Sequence, residues 1–304
     1  MRRREFLQST AFVGASFFLK KEPFFQNHWK RNKNSQSDQE KEATTREVFF
    51  RIIQKALKEE WASLPMGECM GKIATLFIGT DYIGGTLEGK GPEICRVDLT
   101  GLDCVTFFEN VLCMARILKK GNTSFDDFLA ELTFTRYRKG ILTDYTSRLH
   151  YTSDWIQDNE EKRVVKNVTE EIGGEDYPVR VSFMSENPGY YQALREFPGF
   201  IRTIAEIEKE INKRQHWYIP RKEVKKVQRR LQTGDIIAVA TTKEGLDYSH
   251  TGLTFRDEKN KLRFLHASSA KKEVLLDTQL HKYIKSVKTH TGITVARPLE
   301  VNEI

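Results

Sequence analysis

The sequence predicts an α+β fold, with helices first and a small, curled antiparallel sheet second. Three observations predict it. Apolar residues recur at three-and-four spacing through the first half of the chain, the signature of one helix face after another. Beyond residue 234 the period changes to short β-rich runs bounded by Gly, Asp and Asn turns. No internal repeat or second core interrupts the 304 residues, of which 39% are hydrophobic and 30% charged, so residues 46–304 read as one domain.

The N-terminus reads as targeting. Arg2-Arg3-Arg4-Glu5-Phe6-Leu7 followed by a mild apolar run to Leu19 resembles a twin-arginine export signal, assigned to residues 1–24. It predicts an exported or periplasmic protein, tethered to the membrane if the signal is not cleaved. The run falls well short of the roughly 20 apolar residues of a spanning helix. Most of the +7 net charge sits here, with seven basic against two acidic residues in the first 31, so it argues for export and against a nucleic-acid partner. Residues 25–45 are polar and read as a flexible linker.

Helices are expected over 46–61 and 67–78. A Gly-rich turn, Ile78 to Glu88, then presents Tyr82. It is not a phosphate loop, since no Gly-Lys-Ser/Thr follows. Phe107, Phe108, Val111, Leu112, Ala115 and Leu118 mark the next helix, with Asp103 as its N-cap and Cys104 in its first turn. Helix N–H groups and the positive end of the dipole stabilise a thiolate, so the Cys104 thiol is expected to fall from about 8.5 into the range of roughly 3.5–7.5. The alternative is a small core residue. The other cysteines are Cys69, Cys95 and Cys113. No Cys-x-x-Cys occurs, so no metal site and no cofactor are expected, while a disulfide among those three stays open.

A helix over 124–138 follows, then Tyr145 to Ile156, dense in Arg, His, Tyr and Trp. His150 in that stretch reads as a satisfied or substrate-side histidine. Short strands are expected at Val164–Thr169 and Val179–Phe183, and broken helix over 188–213. The basic run 221–230 reads as a solvated helix face. Strands are then expected at 235–240, 249–255, 262–269, 274–276 and 293–295, with a helix near 278–286. His250 opens one strand and His266 ends the next across a hairpin, at the same end of the sheet. A thiol nucleophile needs a base and a group that orients the base, and Cys104, His250 and His266 supply that set. Packing is the alternative for two strand histidines.

Five ordered motifs carry a resemblance: Gly79-x-x-Tyr82-x-Gly84-Gly85, Leu102-Asp103-Cys104, Gly234-Asp235-Ile236, His250-Thr251-Gly252-Leu253 and Leu265-His266-Ala267. Together they resemble the NlpC-type papain-like cell-wall hydrolases. Tyr82–Glu88, Asp103–Phe107, Ser147–Tyr151 with Asp154–Ile156, Tyr218–Pro220 and His266–Ser269 resemble its N-acetylmuramoyl-L-alanine amidase-like branch, whose members act on anhydromuropeptides. The resemblance implies a papain-like core, with Cys104 as nucleophile, His250 as base, His266 as orienter and Tyr82 as an oxyanion donor. It also implies Arg148, Tyr151, Trp155, Ser268 and Ser269 as contacts to a muropeptide or peptidoglycan-fragment substrate, a core residue being an equal reading of Trp155. The competing readings are an endopeptidase cutting D-Glu–diaminopimelate bonds, a non-catalytic peptidoglycan-binding module, and an acyltransferase. The oligomeric state is not readable.

Overall fold

The computed structural model of the protein describes residues 31–301, with side chains from Glu40 onward; the export signal of 1–24 lies outside the described residues. The helices are α1 Arg31–Lys58, α2 Met66–Thr75, α3 Cys104–Lys119, α4 Phe125–Arg136, α5 Thr152–Glu161, α6 Phe183–Glu186, α7 Gln192–Glu196, α8 Gly199–Asn212, α9 Val224–Val227 and α10 Leu280–Ser286. The strands are β1 Asp81–Tyr82, β2 Gly101–Leu102, β3 Val165–Asn167, β4 Glu175–Asp176, β5 Trp217–Pro220, β6 Ile236–Thr241, β7 Tyr248–Arg256, β8 Leu262–Ser268, β9 Glu273–Gln279 and β10 His290–Pro298. Among the described residues, no helix is long and apolar enough to cross a membrane.

The central element is α3. All of its 16 residues except Val105 and Lys119 are buried. Phe107, Phe108, Val111 and Leu112 pack with Phe49 and Ile53 of α1, Met70 and Ile73 of α2, and Leu253, Leu265 and Ala267 of the sheet. A helix buried all round must satisfy its polar residues internally. Glu109 does so by pairing with Arg136 of α4 at 2.8 Å and accepting from the Trp155 indole of α5 at 3.0 Å. Arg116 pairs with Glu131 at 2.5 Å. These pairs fix α4 and α5 against α3.

The sheet is larger than expected and mixed. Its order is β2-β1-β9-β8-β7-β6-β10-β5-β4, with β3 also on β10. β6 to β10 form the antiparallel body, and β1 and β2 pair in parallel at one edge. Three short segments build the other edge: β5 and β3 pair with β10, and β4 pairs with β5. The Gly234-Asp235 turn is structural: Arg297 of β10 binds both Asp235 carboxylate oxygens at 2.8 Å.

Two expected boundaries change. The linker of 25–45 is helical from Arg31, as the first part of α1. Its Lys, Gln and Glu residues are adequate helix formers, Arg46 pairs with Glu42 one turn back, and buried Thr45 accepts from the Leu99 N–H at 3.2 Å. Polarity alone was a poor guide there. Residues 179–183 form no strand. Asn212 of α8 takes the place of a strand partner, accepting from the Val181 N–H at 2.8 Å and donating to its carbonyl at 2.9 Å.

Removing one partner of the Glu109–Arg136 pair strands a buried charge. Both side chains are 2% exposed. Glu109→Ala is expected to cost about 3–5 kcal/mol of unfolding free energy, read from urea titration. A loss below 1 kcal/mol would show that the pair does not hold α3 to α4.

Candidate active site

The start of α3 is over-determined. The Asp103 carboxylate accepts from the backbone N–H groups of Val105 at 3.0 Å and Thr106 at 2.8 Å. The Thr106 hydroxyl in turn accepts from the Asp103 N–H at 2.9 Å, completing a reciprocal cap. Thr251 of β7 donates its hydroxyl to the Cys104 carbonyl at 2.7 Å. Cys104 is 1% exposed at this junction. Burial pushes its thiol up to about 12, Asp103 adds to the rise, and hydrogen bonding from Thr251 opposes it. The expected depression into the thiolate range is therefore overturned. Loss of water and a neighbouring carboxylate outweigh the helix N-terminus, so the resting group is a thiol.

Tyr82 reaches Cys104 through backbone pairing. β1 runs parallel to β2 with Tyr82 opposite Leu102, and the Ile83 N–H donates to the Leu102 carbonyl at 3.1 Å. A Cβ at Gly101 would lie 2.3 Å from the Ile83 side chain, so glycine there permits the approach. Burial, then Cys104 and then Asp103, raise the Tyr82 phenol above its ordinary range, so it stays a protonated donor.

The two strand histidines meet. His250 Nε2 and His266 Nδ1 are 2.6 Å apart. A Cβ at Gly252 would lie 2.7 Å from the His266 Cβ, which accounts for the glycine two residues after His250. Strand alternation sends Thr251, Leu253, Leu265 and Ala267 to the α3 face, and His250 and His266 to the α10 face with Phe264. Tyr283 of α10 covers the pair, 6.0 Å from the His250 ring and 4.9 Å from the His266 ring. Cys104 is held from the α3 face by Thr251, the residue that follows His250 on β7. His266 Nε2 also faces the Asp277 carboxylate of β9 at 3.4 Å. Tyr283 and Asp277 were missed by sequence reasoning, because a lone Tyr or Asp in an amphipathic element carries no signature.

A cleft of about 900 Å³, open mouth included, runs alongside. Asp103 and Val105, on either side of Cys104, line it together with Ser249, next to His250. Arg148, His150 and Tyr151 line its far wall with Tyr145. The Tyr145 and Ser249 hydroxyls are buried there without a hydrogen-bond partner among the described residues. Arg148 is held by Glu88 at 3.0 Å and Glu93 at 3.2 Å and lies over the Tyr145 ring. It therefore straps the loop after Tyr82 to the cleft. Tyr151 donates to Glu208 at 2.7 Å. His150 Nε2 lies 2.8 Å from the Tyr145 carbonyl, consistent with a satisfied, substrate-side histidine.

Three expected substrate contacts lie outside the lining of the cleft, as do Tyr82, Cys104, His250 and His266, which sit behind it. Trp155 is 2% exposed, edge-on to Phe108 and bonded to Glu109, so of its two readings, substrate contact and core residue, the structure favours core. Ser268 belongs to the β8–β9 turn, its hydroxyl accepting from the Lys271 N–H at 3.2 Å. Ser269 sits half-buried in the same turn, and neither lines the cleft. That turn holds Tyr82 instead, through the Tyr82 N–H to the Lys272 carbonyl at 2.8 Å. All four cysteines are free in this structure, Cys69, Cys95 and Cys113 included. Among the described residues, no group of three or more His, Cys, Asp or Glu side chains could hold a metal ion.

Burial holds His150 and His250 well below 6.5, Arg148 adding to the first and His266 and His290 to the second. His266 is also lowered, and burial with Lys243 and Arg221 brings His290 to about 4. Below pH 6.5 the unfolded chain takes up protons that these folded histidines refuse. Stability should therefore fall as pH drops from 6.5 toward 4, by up to about 1.4 kcal/mol per pH unit for each histidine. Urea midpoints at pH 7, 6 and 5 measure this, and a flat series would contradict the burial of the histidines.

Comparison with known proteins follows from this geometry. The family model described as AmiA-like, N-acetylmuramoyl-L-alanine amidase-like, matches residues 72–293, which include Tyr82, Cys104, His250 and His266. The crystal structure of an N-acetylmuramoyl-L-alanine amidase from Bacteroides uniformis is 31% identical, covering 77% of this chain and 99% of that one, with a TM-score of 0.73. A Bacteroides fragilis structure, provisionally named a xylanase, is 34% identical over 74% of this chain and 98% of that one, with a TM-score of 0.70. A Legionella pneumophila structure at 22% identity, covering 85% and 96% with a TM-score of 0.65, shares the fold. No curated protein matches the chain.

Proposed function

This chain belongs to the N-acetylmuramoyl-L-alanine amidase-like family, and on that premise we propose that it is a cysteine-dependent peptidoglycan amidase. Its substrate is a muropeptide, and the bond cut is the amide between N-acetylmuramic acid, in its 1,6-anhydro form, and L-alanine. The observation that carries the reading is the junction at Cys104: a thiol at the start of a buried helix, bonded through Thr251 to the strand that bears His250, beside a cleft with unpartnered hydroxyls. We read α3 and the sheet as a papain-like core of the NlpC type, and the chain as exported.

The reaction follows from the resting state. His250 takes the Cys104 proton as the sulfur attacks the lactyl carbonyl carbon. The C–O double bond opens to an oxyanion, which the Cys104 N–H and the Tyr82 hydroxyl receive. The C–N bond then breaks, and His250 passes the proton to the departing L-alanine amine. A thioester between Cys104 and the muramoyl group remains. Water, deprotonated by His250, attacks it and frees the sugar acid and the thiol. His266 holds the His250 ring through the 2.6 Å contact.

Digestion of anhydro and reducing disaccharide-tetrapeptides, followed by mass spectrometry, tests the reading. Free disaccharide plus intact stem peptide, with preference for the anhydro form, is the expected result. A shortened stem left on the sugar would identify the D-Glu–diaminopimelate endopeptidase instead. Cys104→Ala should keep the fold and lower turnover by several orders of magnitude. Wild-type turnover in that variant would end the proposal.

A further inference from the structure

His250 Nε2 and His266 Nδ1, 2.6 Å apart, can share only one proton, and either ring could supply it. The two arrangements are not equivalent for chemistry. If His266 supplies the proton, a neutral His250 carries its own proton on Nδ1 and its lone pair is spent on His266. No base then faces away from the pair. If His250 supplies the proton, its Nδ1 lone pair is free.

The structure supplies a third group that breaks this tie. Asp277 lies on β9, on the same face as His266, where the pairing of β8 and β9 shifts register between Arg263 and Leu265. Its carboxylate faces His266 Nε2 at 3.4 Å. The carboxylate is itself anchored: the Thr278 N–H donates to its other oxygen at 2.5 Å, and Arg263 donates to the Asp277 backbone carbonyl at 2.6 Å. An ionised carboxylate only accepts. His266 must then carry its proton on Nε2, which leaves Nδ1 bare. His250 must in turn donate from Nε2.

We propose that Asp277 is a positioning residue that sets the tautomers of His266 and His250 and so leaves the His250 Nδ1 lone pair available as the base. This deepens the cysteine-amidase reading and rests on it for its catalytic consequence, though the tautomers exist in the resting protein whatever the substrate. Asp277 touches no reacting atom and acts through His266. Its surroundings suit the role. His266 and Lys271 keep it ionised, and burial keeps both histidines neutral, so each ring carries one proton and both protons point along the row toward Asp277. The other groups facing the row are Tyr283 from α10 and His290 from β10.

The experiment reads the tautomers directly. Long-range ¹H–¹⁵N correlation spectra of the full chain at pH 7.5 are recorded for wild type, Asp277→Ala and Asp277→Asn, with assignment by His250→Gln and His266→Gln. Wild type should show both rings protonated at Nε2. Asp277→Ala should show mixed or reversed tautomers. Its kcat on the muropeptide should fall about 10- to 100-fold with KM unchanged, less than the 10²–10⁴ typical of losing the acid–base group itself. Asp277→Asn, which keeps shape and one acceptor oxygen, should fall between. Unchanged tautomers and unchanged kcat in a folded Asp277→Ala would overturn the proposal. Unchanged activity in His250→Gln would overturn the cysteine-amidase reading instead, and the spectra would still report on Asp277.

Discussion

The hydrogen bond from the Thr251 hydroxyl to the Cys104 carbonyl ties the two halves of this molecule together. On one side lies α3, buried along its length and capped by Asp103 and Thr106. On the other lies β7, in the middle of the antiparallel body, with His250 one residue before the bond. Helix and strand are rigid, so a bond at their junction fixes the thiol relative to the histidines. The parallel pairing of β1 with β2 then brings Tyr82 to the same place by backbone contacts. Position is thus set by elements rather than by loops, and the loop beyond Tyr82 is itself strapped down by Arg148.

Burial decides the electrostatics. A helix N-terminus favours a thiolate by a partial positive charge. At Cys104 that effect is outweighed by the removal of water and by the Asp103 carboxylate needed to cap the same helix. The residue that makes the helix start here also makes the thiol harder to ionise. The same desolvation keeps His250 uncharged, and that preserves it as a proton acceptor. In the proposed mechanism, such a pair would separate charge only once substrate is in place to receive it.

Much of this was legible in the sequence, and the reasons are physical. Helix period and capping placed Cys104 in a first turn, because Asp103 precedes an apolar stripe. A hairpin of known length placed His250 and His266 at one sheet end, and they meet. What was not legible depended on distant partners. Trp155 was open to a substrate contact or a core role, and its partner, Glu109 inside the core, decides for the second. Arg148 was read as a substrate contact, and the ion pairs it makes with Glu88 and Glu93, far back in the chain, carried no sequence signal. Asp277 lay just beyond the three residues expected as a strand, and only the register of β9 turns it toward His266. The polar start of α1 read as linker because its contacts, such as Thr45 with Leu99, are tertiary.

The central claim is that the Cys104 sulfur carries the muramoyl group during turnover. It is tested most directly by quenching the enzyme in acid within its first turnovers on an anhydromuropeptide and weighing the intact protein. The account predicts one adduct, equal in mass to the acylated disaccharide without its stem peptide, mapping to the peptide that contains Cys104. Sustained turnover with no adduct on that peptide, or an adduct that contains stem-peptide residues, would contradict it.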